Sequence, residues 1–197
     1  MTARVLLVRH ASHDLLGRVL CGRQQGVGLS HAGLADAERL GELLCHEHPD
    51  AVYTSPQQRA QQTASPIAQA CGHLPQNIDA LDEIDFGIWT GRSFDQLAQD
   101  AAWQAWNADR LHHRPPAGES MLDVQARLAQ WLEYVRIRHA GQTVVAISHA
   151  DTIKALVCYV LGLSVDFYDR FAIDPASITA LLAGASGLKL VYLNRTP

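Results

Sequence analysis

The sequence predicts an α/β fold, a three-layer αβα sandwich around a mostly parallel central sheet. Two observations carry that expectation. Short apolar runs of strand length at residues 5–8, 51–54 and 144–147 alternate with longer stretches of helical spacing. That is the order in which a parallel sheet acquires helices on both faces. The chain is also 197 residues long and 48% hydrophobic, enough for one sizeable core. Residues 1–197 are therefore read as a single domain, with 92–140 a helical elaboration near the candidate site.

Taken in order, residues 5–8 (Val-Leu-Leu-Val) make the first buried strand. Leu34, Ala37, Leu40 and Leu44 form the apolar stripe of a helix for which Ser30 is the N-cap candidate. Residues 51–54 give a second strand. Residues 57–70 read as helical, with Pro66 expected to distort or interrupt them because it lacks an N–H and clashes one turn back. A fourth short apolar stretch, 78–81, precedes Asp82 and Glu83. Residues 109–118, with two His and two Pro, read as a surface connection. Met121, Val124, Leu128, Trp131 and Val135 mark a helix starting near Glu119 and ending before Gly141. The β-branched run 144–147 is a further strand, and 153–161 a buried helix ending at Gly162. Residues 178–182 and 188–193 read as two strands joined through 184–187.

Charge and cysteine usage narrow the function classes. Sixteen Lys and Arg against twenty Asp and Glu give a formal net charge of −4. No strong basic field exists to attract nucleic acid or an anionic membrane surface, so neither is expected as a partner. An anionic small molecule is not excluded, because a site is made by local charge. The first apolar run is far shorter than a signal-peptide core or the ~20 residues of a spanning helix, which predicts a cytoplasmic protein. Cys21, Cys45, Cys71 and Cys158 form no Cys-x-x-Cys pair and read as free thiols in a reducing compartment.

The ends of the strands carry the chemistry. Residues 5–8 run into Arg9-His10, and 144–147 run into Ser148-His149. Ligands of open α/β sheets bind beyond the carboxyl ends of the strands, so the pattern puts both His at one edge. Ser55-Pro56 ends the second strand and opens a helix bearing Arg59, and Glu83 follows the fourth apolar stretch. Each residue alone has an ordinary explanation: a hydrogen-bonded structural His, a solvated Arg, an exposed loop acid. Their convergence favours a site. By contrast, Cys45-His46-Glu47-His48 lacks metalloprotease spacing and reads as a solvated helix end, so no metal is expected. His112-His113 reads as loop surface, and Trp103, Trp106 and Trp131 as core.

Local sequence around these residues resembles the histidine phosphatase superfamily, the phosphoglycerate mutase-like family. Arg9-His10-Ala11 is similar to its Arg-His-Gly signature, and Leu29-Ser30-x-x-Gly33 to the helix start that follows. Ser55-x-x-x-Arg59-Ala60-x-x-Thr63-Ala64 matches its second helix. Leu81-Asp82-Glu83-x-x-Phe86-Gly87-x-Trp89 resembles its acid block, Pro116-x-Gly118-Glu119-Ser120 its later turn, and Ser148-His149 its final Ser-His-Gly. The matches follow the family order from residue 4 to about residue 161. Ala11 and Ala150 replace glycines, Leu16 stands where many members have Asn, and Thr90 replaces a Glu. Backbone N–H groups survive the two Ala changes, so modest effects on phosphate binding are expected.

The resemblance implies a phosphomonoesterase acting on a small phosphorylated metabolite, with no cofactor. Arg9 and Arg59 would cradle the phosphoryl group, because the guanidinium fork is permanently charged and binds phosphate bidentately. His10 would be the nucleophile that forms a phosphohistidine, with His149 donating to the transferring group. Glu83 would protonate the leaving alcohol and then activate water. Surrounded by Arg9, Arg59 and His149, Glu83 is expected to be ionised until a phosphate dianion binds. His149 and Ala150 would contact the phosphate, with Ser12, Arg23, Gln25 and Glu119 at the pocket rim. Two alternatives stand beside this. A cofactor-dependent phosphoglycerate mutase uses the same intermediate, but only 65 residues (84–148) separate Glu83 from His149, fewer than the site cover of known mutases. A non-catalytic phosphoester-binding or regulatory protein would not need all five site residues. The expected partner is the phosphate ester itself; a homodimer is the one protein assembly the sequence leaves open.

Overall fold

The computed structural model describes residues 1–197. Six strands form one sheet: β1 (Ala3–Arg9), β2 (Ala51–Thr54), β3 (Gln76–Asn77), β4 (Thr143–Ser148), β5 (Ile178–Gly184) and β6 (Gly187–Arg195). Their spatial order is β3-β2-β4-β1-β5-β6. The first four run parallel, and β5 and β6 form an antiparallel hairpin on the far edge. The sheet is thus mostly parallel, as the alternation of strands and helices predicts.

Strand alternation divides the core. Leu6, Val8, Val52, Val145 and Ile147 face α1 (His31–Cys45) and α2 (Gln58–Ala70). Val5, Leu7, Tyr53, Val144 and Ala146 face α5 (Met121–Arg138) and α6 (Ala150–Leu161). The two central strands are therefore followed by helices on opposite faces: β1 leads to α1, and β4 to α6. This is a topological switch point, where the crevice at the strand ends stays open for a ligand. Register fixes what lines it. Arg9 pairs with Ser148, and the His10 amide donates to the Ser148 carbonyl at 2.9 Å. No helix is long and apolar enough to cross a membrane.

Helix ends follow the sequence chemistry. Ser30 caps α1 by accepting from the Gly33 amide, and Ser120 caps α5 in a reciprocal capping box with Asp123. Gly162 ends α6 in the left-handed region at φ 66°. Three expectations change. α2 runs through Pro66 without interruption, its other backbone bonds and its packing on α1 at Gly41 outweighing one lost bond. Leu34 is exposed, and Gly33, Ala37, Leu40, Gly41 and Leu44 make the buried face of α1. Residues 78–81 are not a strand. Pairing with β2 is confined to Gln76–Asn77, and Asp79–Leu81 coils into a 3-10 turn.

Stretch 92–140 divides in two. α5 belongs to the sheet-covering layer, with Val124, Leu128 and Val135 buried. The short helices α3 (Phe94–Leu97) and α4 (Ala101–Ala108) instead carry an aromatic cluster with Trp89. Trp103 lies 5.3 Å from Trp89 and from Trp106, and Phe86 packs edge-on to Trp106 at 5.7 Å. This cluster backs the acid-bearing segment, and two glycines let the adjoining turns meet. A Cβ on Gly118 would stand 2.2 Å from the Asp85 carbonyl oxygen, and one on Gly87 (φ +52) 2.0 Å from that of Pro116. Gly118→Ala is expected to cost on the order of 3 kcal/mol, read as a lowered urea midpoint. Gly72→Ala has left-handed backbone but open space, and should cost only about 1 kcal/mol. Equal losses for the two would refute the close packing of these turns.

Candidate active site

Five of the residues singled out from sequence come together at the switch point. Arg59, on the first turn of α2, lies 2% exposed between the two His. Its Nε donates to His10 Nε2 at 3.3 Å, and its Nη2 approaches His149 Nδ1 at 3.1 Å and donates to the Gly22 carbonyl at 2.6 Å. The His10 and His149 rings are 5.1 Å apart. Arg9 donates through Nη1 to the Ile173 carbonyl at 2.6 Å. Arg59 Nη1 and Arg9 Nε are buried with no hydrogen-bond partner. Buried unpaired donors are costly, and these two belong to guanidinium groups lining one cavity, which suits it to an anion. Ala150, at the N-terminus of α6, lines the same cavity and adds first-turn amides.

The ring contacts fix the state of His10. Its Nδ1 is 2.8 Å from the Ala11 carbonyl, an acceptor, so Nδ1 carries the proton and Nε2 keeps its lone pair. Burial, then the charges of Arg59 and Arg9, hold His10 well below the usual histidine range. Burial and Arg59 do the same to His149. Both rings are neutral at pH 7. The Ala11 amide donates to Thr63 Oγ1 at 3.0 Å, so it serves the fold and is not a free phosphate donor.

Glu83 departs from the expectation that flanking cations would leave it ionised. It is 9% exposed, and burial raises its carboxyl to about 7, helped by the nearby Asp151 charge. Arg59, the Ile84 amide and the Thr152 hydroxyl pull the other way and are outweighed. Loss of water around the carboxylate is the larger effect. Asp151 is itself clamped. Arg110 donates to its Oδ1 at 3.0 Å while stacked between Trp106 (3.8 Å) and Tyr168 (3.3 Å).

The remaining sequence candidates fall elsewhere. The cavity, about 130 Å³, is lined by Arg9, His10, Arg59, Glu83, Ala150 and Asp151 on its polar side. Leu16, Val19, Leu20, Phe86 and Phe94 line its apolar side. Ser12, Gln25 and His149 are not in this lining: Gln25 is exposed, and His149 is fully buried against Arg59. Arg23 and Glu119 sit behind the acid segment and brace it. Arg23 donates to the Glu83 carbonyl at 2.8 Å and to Glu119 at 2.7 Å, while Glu119 accepts from the Asp85 amide at 3.0 Å. Arg127 completes the brace by donating to the carbonyls of Ala80 and Asp82 at 2.6 and 2.8 Å. His13, which the sequence reading does not single out, lines the cavity 5.5 Å from His10 and is lowered to about 4, chiefly by burial. Its position three residues after His10 was the available signal. No group of three or more His, Cys, Asp or Glu side chains is placed to hold a metal ion.

Known proteins resemble this chain over nearly its whole length. Residues 5–196 match the histidine phosphatase superfamily (branch 1). The chain is 33% identical over 183 residues to phosphoserine phosphatase 1 of Hydrogenobacter thermophilus, covering 90% of this chain and 85% of that one. It is 30% identical over 196 residues to a 2,3-bisphosphoglycerate-dependent phosphoglycerate mutase of Leifsonia xyli subsp. xyli, covering 82% and 78%. The solved structure of mycobacterial glucosyl-3-phosphoglycerate phosphatase Rv2419c with VO3 superimposes with a TM-score of 0.88 at 28% identity, over 98% of this chain and 99% of that one. The chain that brings Arg9, His10, Arg59, Glu83 and His149 to one sheet edge belongs to branch 1 of the histidine phosphatase superfamily.

Proposed function

We propose that the protein hydrolyses a small phosphomonoester through a phosphohistidine on His10, with Glu83 as general acid and then general base. One observation carries this: His10 Nε2 holds an unprotonated lone pair among guanidinium groups with unused buried donors. Phosphoryl transfer asks for little beyond such positioning and for stabilisation of charge on the equatorial oxygens. His10 Nε2 attacks phosphorus, the phosphorus–oxygen bond to the alcohol breaks, and the Glu83 carboxyl delivers its proton to the departing oxygen. Water then attacks phosphorus while the Glu83 carboxylate takes a proton, and the nitrogen–phosphorus bond breaks to release phosphate. A carboxyl raised to about 7 can serve in both directions near neutral pH. The weak 3.3 Å contact of Arg59 with His10 is the one that an incoming phosphoryl group replaces.

The small cavity and the short 84–148 stretch favour hydrolysis of a compact metabolite over phosphate return to a second substrate. The relatives named phosphoserine phosphatase and glucosyl-3-phosphoglycerate phosphatase suggest phosphorylated hydroxy and amino acids as the first panel to assay. Free phosphate should be released from at least one. His10→Ala should abolish release while retaining the far-ultraviolet spectrum and thermal midpoint; undiminished hydrolysis would reject the nucleophile.

Glu83 predicts a pH signature and a stability trade-off. The acid must be protonated, so kcat/KM should fall about tenfold per pH unit above about 7. Asp151→Asn removes a neighbouring negative charge and should move that limb to lower pH; an unmoved limb would dismiss Asp151 as its cause. The same carboxyl ionises freely in the unfolded chain from its ordinary 4.5 upwards but is held protonated in the fold to about 7. Stability is therefore lost as pH rises through that window, by up to about 3 kcal/mol. Glu83→Gln should lower kcat about 10²–10⁴-fold. It should also raise the thermal midpoint at pH 8 but not at pH 4.

A further inference from the structure

His149 is held from its other side by a chain of residues with no part in the steps above. Its Nε2 lies 2.7 Å from Ser55 Oγ, and Ser55 Oγ donates to Asp82 Oδ1 at 3.1 Å. All three residues are buried, with 0%, 0% and 7% exposure. The serine hydroxyl has one proton, and Asp82 takes it. Towards His149 and the Gln57 amide (3.2 Å) Ser55 Oγ can only accept, so His149 Nε2 must carry a proton. The other ring nitrogen faces Arg59 Nη2 at 3.1 Å, and a guanidinium has nothing to accept with. His149 Nδ1 is therefore bare. Two independent contacts select one neutral tautomer, and in that tautomer the ring has no N–H left for a phosphoryl oxygen.

We propose that Asp82 acts through Ser55 as a positioning residue for His149, fixing its neutral tautomer in the free protein and stabilising the imidazolium that donates from Nδ1 to a bound phosphoryl group. This rests on reading His149 as a phosphate donor. Binding then takes up one proton, at Nδ1, from solvent or from the monoanionic ester. Arg59 from α2, Arg9 and His10 from the end of β1, and Arg127 from α5 all favour a neutral His149 ring. Asp82 Oδ1 stands 3.9 Å from Nε2 and is the compensating charge on that side. Its position is over-determined: the Glu83 amide donates to Oδ1 at 2.8 Å and Gln57 Nε2 to Oδ2 at 3.1 Å, and Arg23 Nε is 3.3 Å from Oδ2. The ester supplies the rest of the negative charge, so that the donor forms only when there is something to hold.

The test is ¹⁵N NMR of histidine-labelled protein, with and without inorganic phosphate, the His149 signals being assigned by their loss in His149→Gln. Free wild-type protein should show Nε2 protonated and Nδ1 bare, and the phosphate complex should show both protonated. Asp82→Asn should lower the pH at which the bound ring loses its proton by about one unit, and weaken phosphate binding at pH 8 about tenfold. Ser55→Ala removes the link between His149 and Asp82 while leaving the Asp82 carboxylate and its bonds to the Glu83 amide and Gln57 in place, and should shift both in the same direction. Nδ1 protonated in the free protein, or a bound His149 titration unchanged in both variants, would overturn the proposal. A wild-type complex with doubly protonated His149 that hydrolyses no ester would reject the proposed function and leave this chain standing. Hydrolysis with a neutral His149 in the complex would do the reverse.

Discussion

A guanidinium buried between two imidazoles is the constraint on which the rest of the site depends. Removing such a charge from water costs several kcal/mol unless hydrogen bonds replace the lost solvent. Arg59 meets that cost with the rings of His10 and His149 and the carbonyl of Gly22. In the free protein those contacts oblige both rings to be neutral, because a protonated nitrogen facing a guanidinium would set donor against donor. They also tie the 21–24 turn to α2, which closes one wall of the cavity. The nucleophile, its partner His and the cavity wall thus share one cause.

The acid side answers to a different force. Glu83 sits among cations, yet it is raised because the segment bearing it is packed from behind. Arg23, Arg127 and Glu119 brace its backbone, the tryptophan cluster supports its far side, and Gly87 and Gly118 allow the turns to touch. Dry packing outweighs Coulomb attraction there. The protein gives up stability above pH 7 to keep a proton on that carboxyl. Burial is thus used to opposite ends: it keeps the nucleophile unprotonated and the acid protonated.

The sequence was most legible where periodicity and strand ends coincide. The runs before Arg9-His10 and Ser148-His149 placed both His at the switch point, and the residues flanking Arg59 and Glu83 carried a family pattern. What was not legible depends on contacts across the fold. Asp151 reads as an ordinary first-turn acid until Arg110, forty-one positions earlier, is seen stacked against it. Ser55 reads as a helix-start residue, and Asp82 as a loop acid beside the more obvious Glu83. Arg23 and Glu119 read as pocket-rim residues, yet they sit at the back of the acid segment, which no local pattern reveals. The Glu83 expectation failed because charge can be counted from sequence, whereas loss of water cannot.

The central claim is that the lone pair on His10 Nε2 becomes a covalent bond to phosphorus. Its most direct measurement is an alkaline quench during turnover of a hydrolysed ester, followed by mass spectrometry and ³¹P NMR of the protein. A single acid-labile phosphoryl group on His10, bonded through Nε2, is the expected result. A phosphoryl group on another residue, or steady hydrolysis with no phosphoprotein on the rapid-quench time scale, would contradict it.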